Sequence, residues 1–394
     1  MNSKENIVND KENQHGTSSG NLLRAGAIYL LLAVYLPFAI FANINPTLLQ
    51  AISVVATIAC AFAIADLSGT KRPSGSLLLM IGCLIFLGSV FCGFVAAILG
   101  TVCVLGYLLI SAKNVTARIL SILPAIAAYA IAVLLVGDLL AAAIAILHVP
   151  AAIALAYAFK RKLPRISAIC HVSIGILVGV LALASAWFVM THGFSLDALV
   201  SSVAAAKEGL TATLTGALFT FAGDMLQISL TDAKDLSEAV VTELFNMLPA
   251  IVIIFSNILA FLIHSVMIRV MIVKAESKED VKNMVAFEMS LVSAIIFFVV
   301  MLAAVVFSDE IFALSVTAEN MMIILMPGLI FTAIGTLRAF MFAKGRSCLG
   351  TLLYIAIIMS FFYLPSITLP LGAMAGATII IIHNILKNRA EKNS

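Results

Sequence analysis

The chain has 394 residues, of which 62% are hydrophobic and 11% are charged, and its formal net charge is +3. Soluble domains typically carry about 25% charged residues and less than half apolar ones. A soluble fold of this length could not bury so much apolar surface, so the composition indicates an all-α membrane protein. The small positive charge is typical of basic loops at the cytoplasmic face and does not indicate nucleic-acid binding.

The N-terminal segment, residues 1–22, is polar and mixed in charge. A signal peptide would show a short basic region, an apolar stretch directly after it and a small-residue cleavage site. The segment has none of these features. It is predicted to be a disordered cytoplasmic tail that precedes an uncleaved first span.

Residues 23–191 predict an N-terminal membrane bundle of about seven spans, because a span needs roughly 20 mostly apolar residues. The stretch Ser76–Ala112 is too long for one helix, and its glycines favour a split into two. A second turn is predicted at Gly137–Asp138. The predicted spans are Leu23–Ala42, Leu48–Leu67, two within Ser76–Ala112, Ile119–Gly137, Leu139–Phe159 and Ala168–Thr191.

Residues 192–246 interrupt this pattern, since they contain many acids and spaced apolar residues. We expect short amphipathic helices in an outer loop here. The apolar residues that recur every fourth position are Leu236, Val240, Leu244 and Leu248. Thr231 is the predicted N-cap of their helix, ahead of an acidic first turn.

Residues 247–386 predict a C-terminal membrane bundle of about five spans, followed by a basic cytoplasmic tail at residues 387–394. Proline breaks a helix, so Pro365 and Pro370 are predicted to divide the last long stretch. The predicted spans are Pro249–Ile272, Met289–Phe307, Met321–Phe342 and two within Leu349–Leu386.

The basic residues support a layout of about twelve spans with both termini in the cytoplasm. Cytoplasmic loops carry an excess of Lys and Arg. If the long stretches are hairpins, all of the 23 basic residues except Lys207 and Lys234 fall on one side. The sequence therefore predicts a multi-pass protein of the bacterial cytoplasmic membrane, with the lipid bilayer as its surroundings.

Three polar residues within spans are the candidates for substrate binding: His264, Asn257 and His148. Ionisable groups in a membrane are costly and often functional. The alternative for each histidine is a neutral ring hydrogen-bonded between helices. Prolines such as Pro150 and Pro249 could break spans beside a cavity, or could be ordinary for membrane helices. Gly175 and Gly179 form a close-packing motif that specifies no partner.

Motifs for catalysis, metals and cofactors are missing from the sequence. It has no P-loop, no HExxH and no GxSxG pattern. The six cysteines show neither a CxxC pair nor a spacing typical of zinc ligands. We therefore expect no enzymatic activity, no catalytic residue, no metal and no cofactor.

The C-terminal third resembles the YybS-like family of bacterial membrane proteins. The residues that carry the resemblance are the run from Glu243 to Pro249, Ser256-Asn257, the basic stretch from Arg269 to Lys274, Phe287, Asn320, Gly335 and the run from Ala343 to Ser347. The family has no established activity. Its membrane domain is similar to the substrate-binding components of energy-coupling-factor uptake systems, so the resemblance implies small-molecule binding or transport.

Two functions follow as hypotheses. The first is binding or transport of a small-molecule substrate, with a separate energising membrane partner because the chain has no ATPase motif. The alternative is a non-transporting scaffold or regulator that joins an envelope or division complex. A polar-lined cavity would favour the first, and a solid apolar bundle would favour the second.

Overall fold

The structure is a computed structural model. It describes residues 19–41, 94–112, 114–226, 229–272, 289–306, 311–343 and 364–393, with a few isolated positions besides. In these ranges every regular element is helical. The elements are α1 (Ser19–Phe41), α2 (Phe94–Ser111), α3 (Val115–Val136), α4 (Leu139–Ala142), the 3₁₀ turn η1 (Ala143–Ile146), α5 (Val149–Lys160), α6 (Arg165–His192), α7 (Leu196–Leu226), α8 (Leu230–Ile272), α9 (Leu291–Val306), α10 (Phe312–Ala343) and α11 (Pro365–Asn393).

Six segments of the described chain are long and apolar enough to cross a membrane. Five lie in α3, α6, α8, α10 and α11, and the sixth is formed by α4, η1 and α5 together. Shorter apolar helices lie where spans are predicted in α1, α2 and α9. The prediction of an all-helical membrane protein is thus confirmed for the described residues.

The predicted count of twelve spans is not supported, because the described part of the chain provides six. The predicted span Leu48–Leu67 lies outside the described residues, as does part of each double-length stretch. Pro365 begins α11, whereas Pro370 lies inside that helix and does not end it.

The prediction of short helices in residues 192–246 is wrong. This segment forms the 31-residue helix α7 and the first part of the 43-residue helix α8. Helix α8 runs through Pro249 without ending, so the predicted outer helix and the predicted span after it are one element. At about 1.5 Å per residue, α8 is roughly twice as long as the hydrocarbon core is thick. Its acidic first part therefore extends beyond the hydrocarbon.

The predicted apolar face of α8 is not its buried face. Ala233, Ser237 and Val241 are buried, and the side chains left 41–48% exposed are Leu236, Val240, Leu244 and Leu248. The N-cap also differs from the predicted Thr231. The Ser229 hydroxyl accepts a 3.1 Å hydrogen bond from the Asp232 amide, and Asp232 accepts one of 3.3 Å from the Ser229 amide. This reciprocal pair is a capping box.

The predicted turn at Gly137–Asp138 is confirmed. Gly137 has φ +75°, a left-handed conformation that ends α3, and its amide donates to the Val133 carbonyl. Asp138 then caps α4 by accepting hydrogen bonds from the amides of Leu140 (2.7 Å) and Ala141 (3.3 Å). The close connection makes α3 and α4 neighbours.

The chain divides into two compact units, and α8 contributes to both. The first unit contains residues up to 191 and residues 256–286, as far as each range is described. In it α1 packs against α2 and α3, while α2 packs against α5. Helix α3 also packs against α4 and η1, where the small side chains Ala132, Ala142 and Ala145 form one buried cluster. Such small residues are typical of contacts between membrane helices.

The second unit contains residues 192–255 and 287–394, again as far as they are described. Its core lies among α9, α10 and α11. The buried residues of this core are Ala294, Phe297, Met326, Leu329, Ile330, Ala373, Ala377 and Ile380. A side chain at Gly376 would overlap the Leu329 backbone, so the glycine sets how closely α11 approaches α10.

Candidate functional site

An apolar crevice of about 490 Å³ lies in the first unit, among α3, the span Leu139–Lys160 (α4, η1 and α5) and α6. A volume of this size is within the range of small-molecule sites, roughly 300–1,000 Å³. Its lining is Ile122, Ala125, Ile126, Tyr129, Leu140, Ala143, Ile146, Leu147, Val149, Pro150, Gly179, Ala182, Leu183 and Ala186. Only the Tyr129 hydroxyl, which donates to the Leu139 carbonyl at 3.3 Å, adds a polar side-chain group.

The crevice lies beside the point at which the span Leu139–Lys160 changes its helical geometry. Four residues of α4 lead into the 3₁₀ turn η1, and a further turn at Leu147–His148 precedes α5. Pro150 occupies the first turn of α5, where its missing amide hydrogen removes no helical hydrogen bond. The span is therefore built from two helical pieces, and the wall of the crevice contains their junction.

Gly175 and Gly179 of α6 pack against this junction. A Cβ atom at Gly175 would lie 2.7 Å from Ala151 Cα, and one at Gly179 would overlap the Leu147 carbonyl oxygen. The close-packing motif thus has a definite partner, the turn from Leu147 to Ala151. Any larger residue at these positions would push α6 away from the interrupted span.

His148, one of the predicted binding residues, is buried with 3% exposure and does not line the crevice. Its Nε2 atom lies 2.8 Å from the hydroxyl of Tyr29 in α1. The two rings meet edge to face, with centroids 5.3 Å apart. His148 Nδ1 is buried without a hydrogen-bond partner in the described part of the chain. The contact between His148 and Tyr29 joins the start of α5 to α1.

His264, the second predicted residue, lies fully buried in α8. Its ring stacks on Phe159, with centroids 5.3 Å apart and planes at 29°. Neither ring nitrogen has a hydrogen-bond partner among the described residues. Next to it along α8, the Ser265 hydroxyl accepts a 3.0 Å hydrogen bond from Arg165, whose guanidinium lies 4.7 Å from the Phe261 ring centre.

The three predicted residues do not form one site. His148 precedes α5 and Phe159, the neighbour of His264, is at its other end, so about 16 Å of helix separates the two histidine positions. Asn257 is partly buried in α8, two turns before His264. Each of the two histidines has its own aromatic neighbour, as expected for side chains that join helices.

One end of the first unit carries Arg118, Lys160, Arg161, Lys162 and Arg165, and we name it the basic end. The Lys160 ammonium donates to the carbonyls of Leu109 (2.7 Å) and Ala112 (3.4 Å) at the end of α2. A cation is favoured there by the helix dipole. Arg118 lies within electrostatic range of Lys160. The Arg161 guanidinium lies 5.9 Å from the Tyr157 ring centre.

In the second unit the side-chain amide of Asn320 enters the backbone hydrogen-bond ladder of α8. Its Oδ1 accepts a 3.0 Å hydrogen bond from the Ala250 amide, and its Nδ2 donates to the Asn246 carbonyl at 2.8 Å. Ala250 and Asn246 would otherwise bond to each other across one turn. Pro249 already removes an amide hydrogen next to this turn. We name this arrangement the Asn320 bridge.

The crevice, the Arg118–Lys160 pair and the Asn320 bridge are all missed by a search for ionisable residues inside spans. Alanine and leucine line the crevice, and neither carries a signal of function. For the bridge, the run Asn246 to Pro249 and the position of Asn320 could have suggested a contact, but their pairing depends on the packing of helices. In the described residues no group of His, Cys, Asp or Glu could hold a metal ion.

No family model, curated protein or solved structure matches the chain. The six helical segments that are long and apolar enough to cross a membrane define the class as an integral membrane protein built from helices.

Proposed function

We propose that this protein binds a small, largely apolar molecule in the crevice and moves it across or within the bacterial cytoplasmic membrane. The observation that carries this proposal is the interrupted span Leu139–Lys160 beside the crevice. The crevice is lined by apolar side chains and not by the polar ones expected of a transport cavity, so the proposed ligand is apolar.

Interrupted helices at membrane depth support this function on physical grounds. A backbone that leaves α-helical geometry inside lipid must satisfy its polar groups, so it is tolerated where protein or a cavity surrounds it. Transporters place discontinuous helices at their substrate sites. The apolar lining favours a molecule that partitions from the bilayer over a charged solute, since an unpaired charge would be costly there.

The remaining expectations are part of the same proposal. On the distribution of basic residues we also propose about twelve spans in the full chain, of which the described residues provide six, with both termini in the cytoplasm. An energising membrane partner is proposed because the sequence has no P-loop, and no catalytic step is assigned to the chain. The resemblance to the YybS-like family agrees with a role in small-molecule binding. His148, His264 and Asn257 are then packing residues outside the crevice.

The test is binding of an apolar fluorescent probe to the full-length protein in neutral detergent. Ala182→Phe places a ring in the crevice, while Ala184→Phe places the same ring on the same helix away from the crevice lining. We expect the first variant to lose at least tenfold in probe affinity and the second to bind like the wild type. Equal binding by all three proteins would contradict the proposal.

The scaffold or regulator hypothesis has one observation in its favour. Helix α7 is not among the segments apolar enough to cross a membrane, yet it carries exposed apolar side chains at its start. Phe194, which precedes the helix, is 95% exposed, Leu196 is 77% exposed and Val200 is 63% exposed. Exposed apolar side chains often mark contacts with other proteins. On this hypothesis Leu196→Ser would release a membrane partner in crosslinking, and Ala182→Phe would change nothing.

A further inference from the structure

One face of α3 joins the basic end to the crevice. Arg118, Ile122, Ala125 and Tyr129 follow one another at intervals of three or four residues, and Ile126 lies four residues after Ile122, which places all five on one side of a helix. The last four line the crevice. Arg118 is exposed one turn before the first of them. A molecule lying along this face would have a cation at one end and only apolar side chains along the rest.

Lys160 provides a second cation at the basic end. The Lys160 ammonium is held in position by two carbonyls of the α2 terminus, and because an ammonium has three donor hydrogens, one remains for another acceptor. Ser121, three residues after Arg118, donates to the Leu108 carbonyl at 3.4 Å, next to the Leu109 carbonyl that accepts from Lys160. Both cations therefore lie at the end of α2, where they repel each other.

Among the described residues of the first unit, no carboxylate lies close enough to offset these two charges. In the described parts of the first unit, residues 19–41, 94–191 and 256–272, the only acid is Asp138. That residue caps α4 after the far end of α3, about 30 Å along the helix from Arg118. An anionic group between Arg118 and Lys160 would relieve the repulsion between the two cations.

We propose that the crevice binds a phospholipid with an anionic headgroup. The phosphate lies on Arg118 and Lys160, and one acyl chain extends along Ile122, Ile126 and Tyr129. This inference rests on the proposed function and names the class of its ligand. It places the headgroup in the leaflet at the basic end, which the distribution of charge assigns to the cytoplasmic side.

The basic end and the apolar crevice both fit a phospholipid with an anionic headgroup. Guanidinium groups bind phosphate with two parallel hydrogen bonds, and a lysine adds a point charge. Basic pockets between membrane helices are known to select anionic headgroups. The apolar crevice accepts an acyl chain without unpaired polar groups. A free phosphate ion would use only the cations, and an unselected bilayer lipid would show no preference for headgroup charge.

The experiment measures phospholipid retained by the full-length protein. Purified protein in neutral detergent is incubated with equal amounts of phosphatidylglycerol and phosphatidylcholine, washed and analysed by mass spectrometry. We expect the wild type to retain phosphatidylglycerol selectively. Arg118→Gln should retain about fivefold less, the factor expected for one basic residue near a membrane surface. Arg161→Gln is the matched control, since Arg161 neighbours Lys160 but stacks on Tyr157, and it should retain the wild-type amount.

The variants separate failure of this inference from failure of the proposed function. If Ala182→Phe weakens binding of the apolar probe while Arg118→Gln retains phosphatidylglycerol like the wild type, the crevice binds ligands but the phospholipid assignment is wrong. If Ala182→Phe affects neither ligand, the proposed function fails as well. Displacement of phosphatidylglycerol by millimolar inorganic phosphate alone would also overturn the assignment. Ala143→Leu, from the opposite wall, replaces Ala182→Phe if that variant does not fold.

Discussion

At the scale of single residues, the Asn320 bridge shows a side-chain amide entering the backbone hydrogen bonding of a membrane helix next to a proline. Pro249 cannot donate a hydrogen bond and leaves a carbonyl of the preceding turn without its amide. The next amide in the chain, that of Ala250, is bonded to Asn320. A carboxamide is suited to this position because it donates and accepts at once.

Replacement of Asn320 by leucine should therefore be costly. The Ala250 amide and the Asn246 carbonyl would lose Asn320 and could bond each other only if the turn beside Pro249 tightens, so the cost is at most the roughly 1–3 kcal/mol of a buried unsatisfied group. We expect Asn320→Leu to lower the melting temperature in detergent and to speed hydrogen exchange around Ala250. Asn384→Leu is the control, because Asn384 bonds only to a carbonyl of its own helix. If both variants lose equal stability, the Asn320 bridge contributes no more than the bond of Asn384 to its own helix.

The close approach of α6 at Gly179 leads to a second prediction. Gly179→Ala should destabilise the protein by roughly 1–3 kcal/mol, since a Cβ atom would overlap the Leu147 carbonyl and force the backbones apart. Gly335→Ala, in α10, has nothing within 4 Å of the added atom and should be neutral or slightly stabilising. Thermal unfolding of the two variants side by side measures the difference. Equal melting temperatures would contradict the contact.

The His148–Tyr29 pair gives a third prediction. Tyr29→Phe removes one buried hydrogen bond and should cost about 0.5–1.5 kcal/mol of unfolding free energy. The same change in a His148→Phe background should cost less, because the partner is already gone. A double-mutant cycle from reversible unfolding in detergent measures this coupling. A coupling energy of zero would show that the two groups do not interact.

The sequence predicts correctly that His148 and His264 lie in apolar segments, but it does not reveal their neighbours. A neighbour depends on how each helix is rotated, and a few degrees decide whether a ring faces Tyr29, Phe159 or lipid. Apolar lining residues are harder still. Ala143 of the interrupted span and Ala182 of α6 both line the crevice, and an alanine in an apolar segment gives no sign of this in the sequence.

At the scale of elements, the length of an apolar stretch predicts a helix well and predicts its ends poorly. Helix α3 ends where glycine and aspartate provide a left-handed turn and a cap, and both signals are local. Helix α8 continues through Pro249, and Asn320, distant in sequence, bonds the amide and the carbonyl of the turn beside this proline. Thus the end of α3, which neighbouring residues set, could be predicted. The continuation of α8 through Pro249, next to a tertiary contact, could not.

The start of α8 provides a test of this distinction. Ser229→Ala should remove the capping box and cost about 0.5–2 kcal/mol of local helix stability. Hydrogen exchange at residues 230–234 should speed up accordingly. Thr231→Ala, at the cap position expected from sequence, should leave exchange nearly unchanged. The opposite order would restore Thr231 as the cap.

At the scale of the whole molecule, the proposed topology depends on which side each loop occupies. Asp138 lies in the turn between α3 and α4, and Arg161 lies at the basic end. If the basic end is cytoplasmic, Asp138→Cys in a background without native cysteines should react with an impermeant maleimide in intact cells. Arg161→Cys should react only after permeabilisation. The reverse labelling pattern would invert the proposed orientation.

The Asn320 bridge has one more consequence, which concerns energy coupling. Both of its hydrogen bonds join uncharged amides, so neither protonation nor added salt changes the groups involved. A proton gradient could not open this contact, and high ionic strength would leave it intact. The phospholipid contact at Arg118 and Lys160 is the opposite, since screening weakens interactions between exposed charges. Salt titration therefore distinguishes the two features in one protein: lipid should be lost while the amides of α8 around Ala250 stay protected from hydrogen exchange.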